Sequence, residues 1–137
     1  MNGGVFGPLA RSSAVHMLVA FLLMGSWAFW ANRLHPMPRP VLAGVVQGIL
    51  SAGLTLFLKS VVDRLRARFS GALRYVAPPL IALLGSVALL VTMHYLSGTP
   101  EIFKTIAVPL LVSGSYAIIY NATMVGKHAA TVDTGER

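Results

Sequence analysis

Four runs without a single Asp, Glu, Lys or Arg, at residues 14–31, 41–58, 76–97 and 105–125, constrain this chain more than any other feature. A hydrocarbon core about 30 Å thick is crossed by roughly 20 residues of α-helix, and each run comes close to that length. In lipid every backbone N–H and C=O must be paired within its own segment, so the runs read as helices. Composition agrees: 55% of residues are hydrophobic, 11% are charged, and the mean hydropathy is +0.72. A soluble domain carries about 25% charged residues, so this chain cannot cover its own surface in water. The expected fold class is an all-α integral membrane protein with four transmembrane helices. Connections of about 9, 17 and 7 residues make the bundle antiparallel. Residues 1–126 form one four-helix domain in this reading, and the small, polar residues 127–137 form a disordered tail.

The basic residues set the orientation. Arg11, Lys59, Arg64, Arg66, Arg68, Arg74, Lys127 and Arg137 fall on one side of the spans, against Arg33, Arg39 and Lys104 on the other. Short loops rich in Lys and Arg stay inside, which puts both termini in the cytoplasm of a bacterial inner membrane. Trp27, Trp30, Tyr75, Tyr95 and Tyr120 lie toward run ends, where rings prefer the headgroup level. The first run is too long for an ordinary signal-peptide core and ends in Trp30 and Asn32 rather than small residues. The net charge of +7 therefore points to anionic headgroups, not to nucleic acid. Past the second run, Val61, Val62, Leu65 and Phe69 continue a helical period. This predicts an extension lying against the interface and ending near Ser70-Gly71. Lys59, Arg64, Arg66, Arg68 and Arg74 on it are candidate contacts for anionic lipid or an acidic partner.

Two polar patterns cut through the greasy runs. In the second, Gln47, Ser51, Thr55, Lys59 and Asp63 recur every fourth residue, beside a small-residue series of Gly44, Gly48 and Ala52. The small series predicts a close helix-packing face, internal or toward another subunit. Ser51 and Thr55 can bond carbonyls one turn back, and Lys59 and Asp63 are spaced for an ion pair. Gln47 cannot satisfy itself and must face protein or water. In the fourth run, Thr105, Pro109, Ser113, Ala117 and Asn121 repeat the spacing. Pro109, followed by Gly114, predicts a kink. A polar crevice between the second and fourth helices would be lined by Gln47, Ser51, Ser113 and Asn121.

Chemistry is sparse. The four acidic residues, Asp63, Glu101, Asp133 and Glu136, all lie outside the runs, so no carboxylate pair or buried coupling group can form. There is no cysteine, and the four histidines include no pair at helical metal-ligand spacing. Only His35 and His94 share a depth suited to two axial ligands. No enzyme, metal or cofactor is expected. The glycine-rich and TTFS-type phrases of the fluoride channels are missing, as is the first-helix glutamate of the small multidrug exporters. The phrases LLMGSWAF and ALLGSVAL, about 60 residues apart, would place Gly25 and Gly85 at equivalent positions if the halves were a repeat.

Two function classes fit. One is an accessory or assembly subunit docking on a larger membrane complex through the glycine face. The other is a small carrier of lipid or lipid-linked substrate that uses the crevice. A docking subunit should leave its glycine face outward; a carrier should cover it and enclose a cavity.

Overall fold

A computed structural model describes residues 13–135. It contains α1 (Ser13–Ala31), α2 (Arg39–Arg66), α3 (Leu73–Leu96) and α4 (Ile102–Gly135). The described chain is all-helical, and all four helices are long and apolar enough to cross a membrane. Leu23, Leu84, Leu111 and Ile119 are 60–69% exposed on the outside of the bundle. Such a surface is stable only with lipid as solvent, and the chain is an integral membrane protein. Arg11 and Arg137, used in the charge count, lie outside the described residues.

The interior is thin and partly polar. Leu54, Leu58 and Val62 of α2 pack with Ala82 and Leu90 of α3 and Ile106 and Ala117 of α4. Fully buried beside them are Asn32, Gln47, His94, Thr105 and Asn121. Helices α2 and α4 each pack on all three others, α2 the more extensively, whereas α1 packs on α2 and less extensively on α4.

Two helix ends differ from the sequence expectation. The second helix does not leave the bundle to lie on an interface. Val62 is completely buried, continuing the four-residue series of Leu54 and Leu58, and α2 stops at Arg66. The turn that follows uses Gly71, whose φ of +59° suits a residue without Cβ. At the other extreme, α4 runs on as helix to Gly135, through most of the segment expected to be irregular. Residues 127–133 contain neither Gly nor Pro, and Ala129 and Ala130 extend a helix that is already nucleated.

Helices α1 and α2 meet through glycine. A Cβ on Gly25 would lie 2.8 Å from the Gly44 carbonyl oxygen, and one on Gly44 would lie 3.0 Å from that of Gly25. One turn further, a Cβ on Gly48 would meet the Phe21 ring at 2.7 Å. Ala52, the last of the small series, is half-buried. Gly85 faces open space, and Ser86 rather than its neighbour is buried. The two similar phrases thus present opposite faces, with Gly25 buried and Ser26 exposed in the first. We expect Gly25→Ala to destabilise the protein by about 1–3 kcal/mol, because backbone rather than a movable side chain stands in the way. Gly53→Ala, into open space, should be neutral or stabilising by about 0.5–1 kcal/mol. Thermal unfolding in detergent compares them, and equal effects would rule out the glycine contact as the cause.

Candidate functional site

The end of the bundle bearing the 32–38 and 97–101 connections is tied by asparagine and histidine. Asn32 donates to the Ala28 carbonyl at 2.8 Å and to Thr105 Oγ1 at 2.7 Å, while its Oδ1 accepts the Glu101 N–H at 3.0 Å. One side chain just past the end of α1 thereby satisfies the backbone that opens α4. Nearby, Trp27 Nε1 donates to the Lys104 carbonyl at 3.0 Å, and His35 donates to Glu101 Oε1 at 3.1 Å. Glu101 is held below the usual carboxylate range, first by the His35 hydrogen bond and then by Lys104. The pair therefore persists as pH falls until that lowered value is crossed.

Gln47 finds its partner on α3. Its Nε2 donates to Ser51 Oγ at 2.8 Å, so its Oε1 is the acceptor facing His94 Nε2, also at 2.8 Å. His94 consequently carries its hydrogen on Nε2, and Nδ1 accepts from Thr99 Oγ1 at 2.8 Å. Thr99 is delivered by the way α3 ends. Gly98 takes φ +70°, its N–H bonds to the Tyr95 carbonyl, and the Thr99 N–H returns to that of His94. That Schellman closure folds Thr99 back onto the ring. Both His35 and His94 are thus held by other partners. The described residues contain no cluster of three or more His, Asp or Glu side chains that could hold a metal.

Asn121 is a staple rather than a lining residue. Pro78 and Pro79 remove the N–H groups that would bond to the Arg74 and Tyr75 carbonyls. The Asn121 amide donates to those two carbonyls, at 2.8 and 3.0 Å. The spacing rule for Lys59 and Asp63 also fails: Asp63 pairs with Arg66 at 3.1 Å and accepts from Tyr120 at 3.0 Å. Tyr120 reaches Asp63 because α4 packs against the last turns of α2, a contact that intrahelical spacing does not reveal.

A crevice of about 540 Å³ opens between α1, α2 and α4. Here α1 and α4 stand apart, with Val19, Leu23, Pro109 and Val112 on its sides and Ser51, Leu54, Thr55 and Leu58 at its back. Ser113, Tyr116, His16 and Lys59 add the remaining polar groups. Of the four residues expected to line a crevice, the structure brings Ser51 and Ser113 together, adds Pro109, which was expected only as a kink, and directs Gln47 and Asn121 elsewhere. Helix α4 continues through Pro109, and Gly114 is buried on the α3 side, where an added Cβ would lie 3.3 Å from the Leu83 side chain. Ser51 and Thr55 are already engaged, Thr55 Oγ1 donating to the Ser51 carbonyl at 2.8 Å. On the back wall Thr55 thus satisfies its donor within α2, and Ser51 Oγ accepts from Gln47. His16 and Tyr116 carry no periodic signal in the sequence; only the separation of α1 from α4 selects them. Among the basic residues, Arg64 and Arg68 are exposed, whereas Arg66 and Arg74 are half-buried around a second cavity.

No protein-family model, curated protein or solved structure matches this chain.

Replacing Asn121 by Leu strands two part-buried carbonyls and should cost about 1–3 kcal/mol in all. With Pro78→Ala and Pro79→Ala in the same chain the N–H groups return, and most of that loss should be recovered. Denaturant titration of Asn121→Leu, of Pro78→Ala with Pro79→Ala alone, and of all three changes together measures the coupling; strictly additive effects would show that Asn121 does not serve the prolines.

Proposed function

We propose that this chain is a small non-enzymatic membrane protein that holds the hydrocarbon chain of an anionic lipid or lipid-linked substrate in the crevice between α1, α2 and α4. The observation that carries the reading is the crevice itself. It is mostly apolar, is bounded by helices whose outer faces suit lipid, and has a volume of about 540 Å³, within the range of ligand sites. Lys59 lines it where α2 leaves its apolar run, well placed for an acidic headgroup. The competing reading, a docking subunit, drew on Gly44 and Gly48, and that face is occupied by Gly25 and Phe21 of the same chain.

In this reading the four helices form an antiparallel bundle with both termini in the cytoplasm of a bacterial inner membrane. The Lys and Arg distribution supports that orientation, since the 59–75 segment alone carries Lys59, Arg64, Arg66, Arg68 and Arg74. Association with copies of the chain or with a larger membrane complex remains compatible through the exposed apolar faces.

Orientation is directly measurable because the chain has no native cysteine. Pro36→Cys should react with a membrane-impermeant maleimide on intact spheroplasts, and Ser70→Cys only after the membrane is opened. The reverse pattern would invert the topology. For the crevice, Ser113→Trp fills the space, while Leu111→Trp, 69% exposed on the same helix, does not. Native mass spectrometry of the delipidated protein with added lauryl phosphate should show binding lost in the first variant and kept in the second, with both retaining wild-type helicity. Equal binding in the two would refute the crevice as the site.

A further inference from the structure

The second cavity, of about 430 Å³, is bounded by the ends of α2, α3 and α4 and shares no lining residue with the crevice. Its polar lining includes Arg66 from α2, Arg74 from α3, and Lys127 and His128 from α4. Asp63 is the one carboxylate there, and its oxygens are already engaged by Arg66 and Tyr120. Three cations thus surround a concavity in which a single negative charge is already committed.

Two of those cations keep unused donors. Arg66 reaches Asp63 through Nη2, while its Nη1 is buried without an acceptor. Arg74 uses Nε on the Phe69 carbonyl at 3.0 Å, which fixes the stem and leaves the terminal nitrogens of the fork. Guanidinium forks match the tetrahedral oxygens of phosphate, and a concave site lined by one sign of charge concentrates the opposite ion.

Position decides the source of that phosphate. Arg74 comes two residues before the apolar run of α3 begins, and Lys127 two residues after that of α4 ends. Arg66 lies two turns beyond the last apolar residue of the α2 run. All three helices therefore present their cations where hydrocarbon gives way to headgroups. Met124, Val125 and Ala67 complete the wall with apolar surface, suited to the glycerol and ester region below a headgroup.

We infer that the cavity bounded by Arg66, Arg74, Lys127 and His128 is a binding site for the phosphate of an anionic phospholipid headgroup. The lipid is seated at the α2–α3 turn against α4. The inference does not depend on the crevice between α1, α2 and α4, because the walls differ. Arg64 and Arg68, exposed on the same segment and outside the cavity, serve as internal controls for general surface charge.

The test uses the full chain in a non-ionic detergent, titrated with short-chain phosphatidic acid, short-chain phosphatidylcholine or inorganic phosphate, with binding read by native mass spectrometry. Phosphatidic acid should bind saturably and phosphatidylcholine should not. Lys127→Gln should weaken binding about five-fold, the effect of one basic contact at a membrane surface. Arg74→Gln should weaken it at least as much, but it also removes the bond to Phe69, so the exposed Lys127 is the decisive position. Arg68→Gln should leave binding unchanged. Equal weakening by Arg68→Gln and Lys127→Gln would reduce the site to unspecific surface charge and overturn the inference. So would equal binding of phosphatidylcholine, or displacement of the lipid by inorganic phosphate at similar concentration.

Discussion

Hydrocarbon offers no hydrogen bonds, so wherever the helical ladder of this protein is interrupted the missing partner has to come from another helix. Two carboxamides meet that demand, and a third ties side chains of two helices together. Asn121 of α4 serves the two carbonyls that Pro78 and Pro79 leave open in α3. Asn32, the residue after α1, serves the start of α4, and Gln47 of α2 meets the His94 side chain at the end of α3. Each bond joins elements far apart in sequence and lies among buried or part-buried atoms. Together they locate the helices more specifically than the small apolar core could, since side chains of similar greasiness face both the interior and the lipid.

The glycine contact acts on the same frame by a different force. With lipid as solvent there is little hydrophobic gain in helix association, so close backbone approach supplies dispersion contacts instead. Gly25 and Gly44 bring α1 tightly onto α2. The links from α1 to α4 are the bonds of Asn32 and Trp27 near one end. Held firmly to α2 and pinned to α4 at one end only, α1 leaves the crevice open toward the other. The cavity is thus a consequence of how α1 is attached.

Much of this was legible in the residues. The runs were evident because their length and lack of charge leave helix as the form that satisfies its own backbone in lipid. Thr55 bonds one turn back, as its side-chain length and spacing require. Close packing at Gly44 and Gly48 could be anticipated, though not its partner. Other inferences from spacing did not hold. Lys59 and Asp63 are at ion-pair distance along α2, yet Asp63 turns to Arg66 and Tyr120, because a phenol from α4 and a guanidinium one turn on offer better geometry. Asn121 belonged to a polar row but is directed at the proline pair of α3, and no periodicity within α4 could reveal a vacancy on another helix.

The sequence by itself determined the class of molecule: four helices, an apolar exterior, and polar residues too costly to leave facing lipid. Those properties follow from local rules of length, charge and hydrogen-bonding capacity. Only the tertiary structure decided who pairs with whom: Gly25 with Gly44, Gln47 with His94, Asn121 with the carbonyls before Pro78 and Pro79. It also separated the polar residues into staples, a crevice wall and a basic cavity. The reason is physical: a hydrogen-bonding group or a missing Cβ states a need, and which distant segment meets it depends on how the helices cross and where their ends fall.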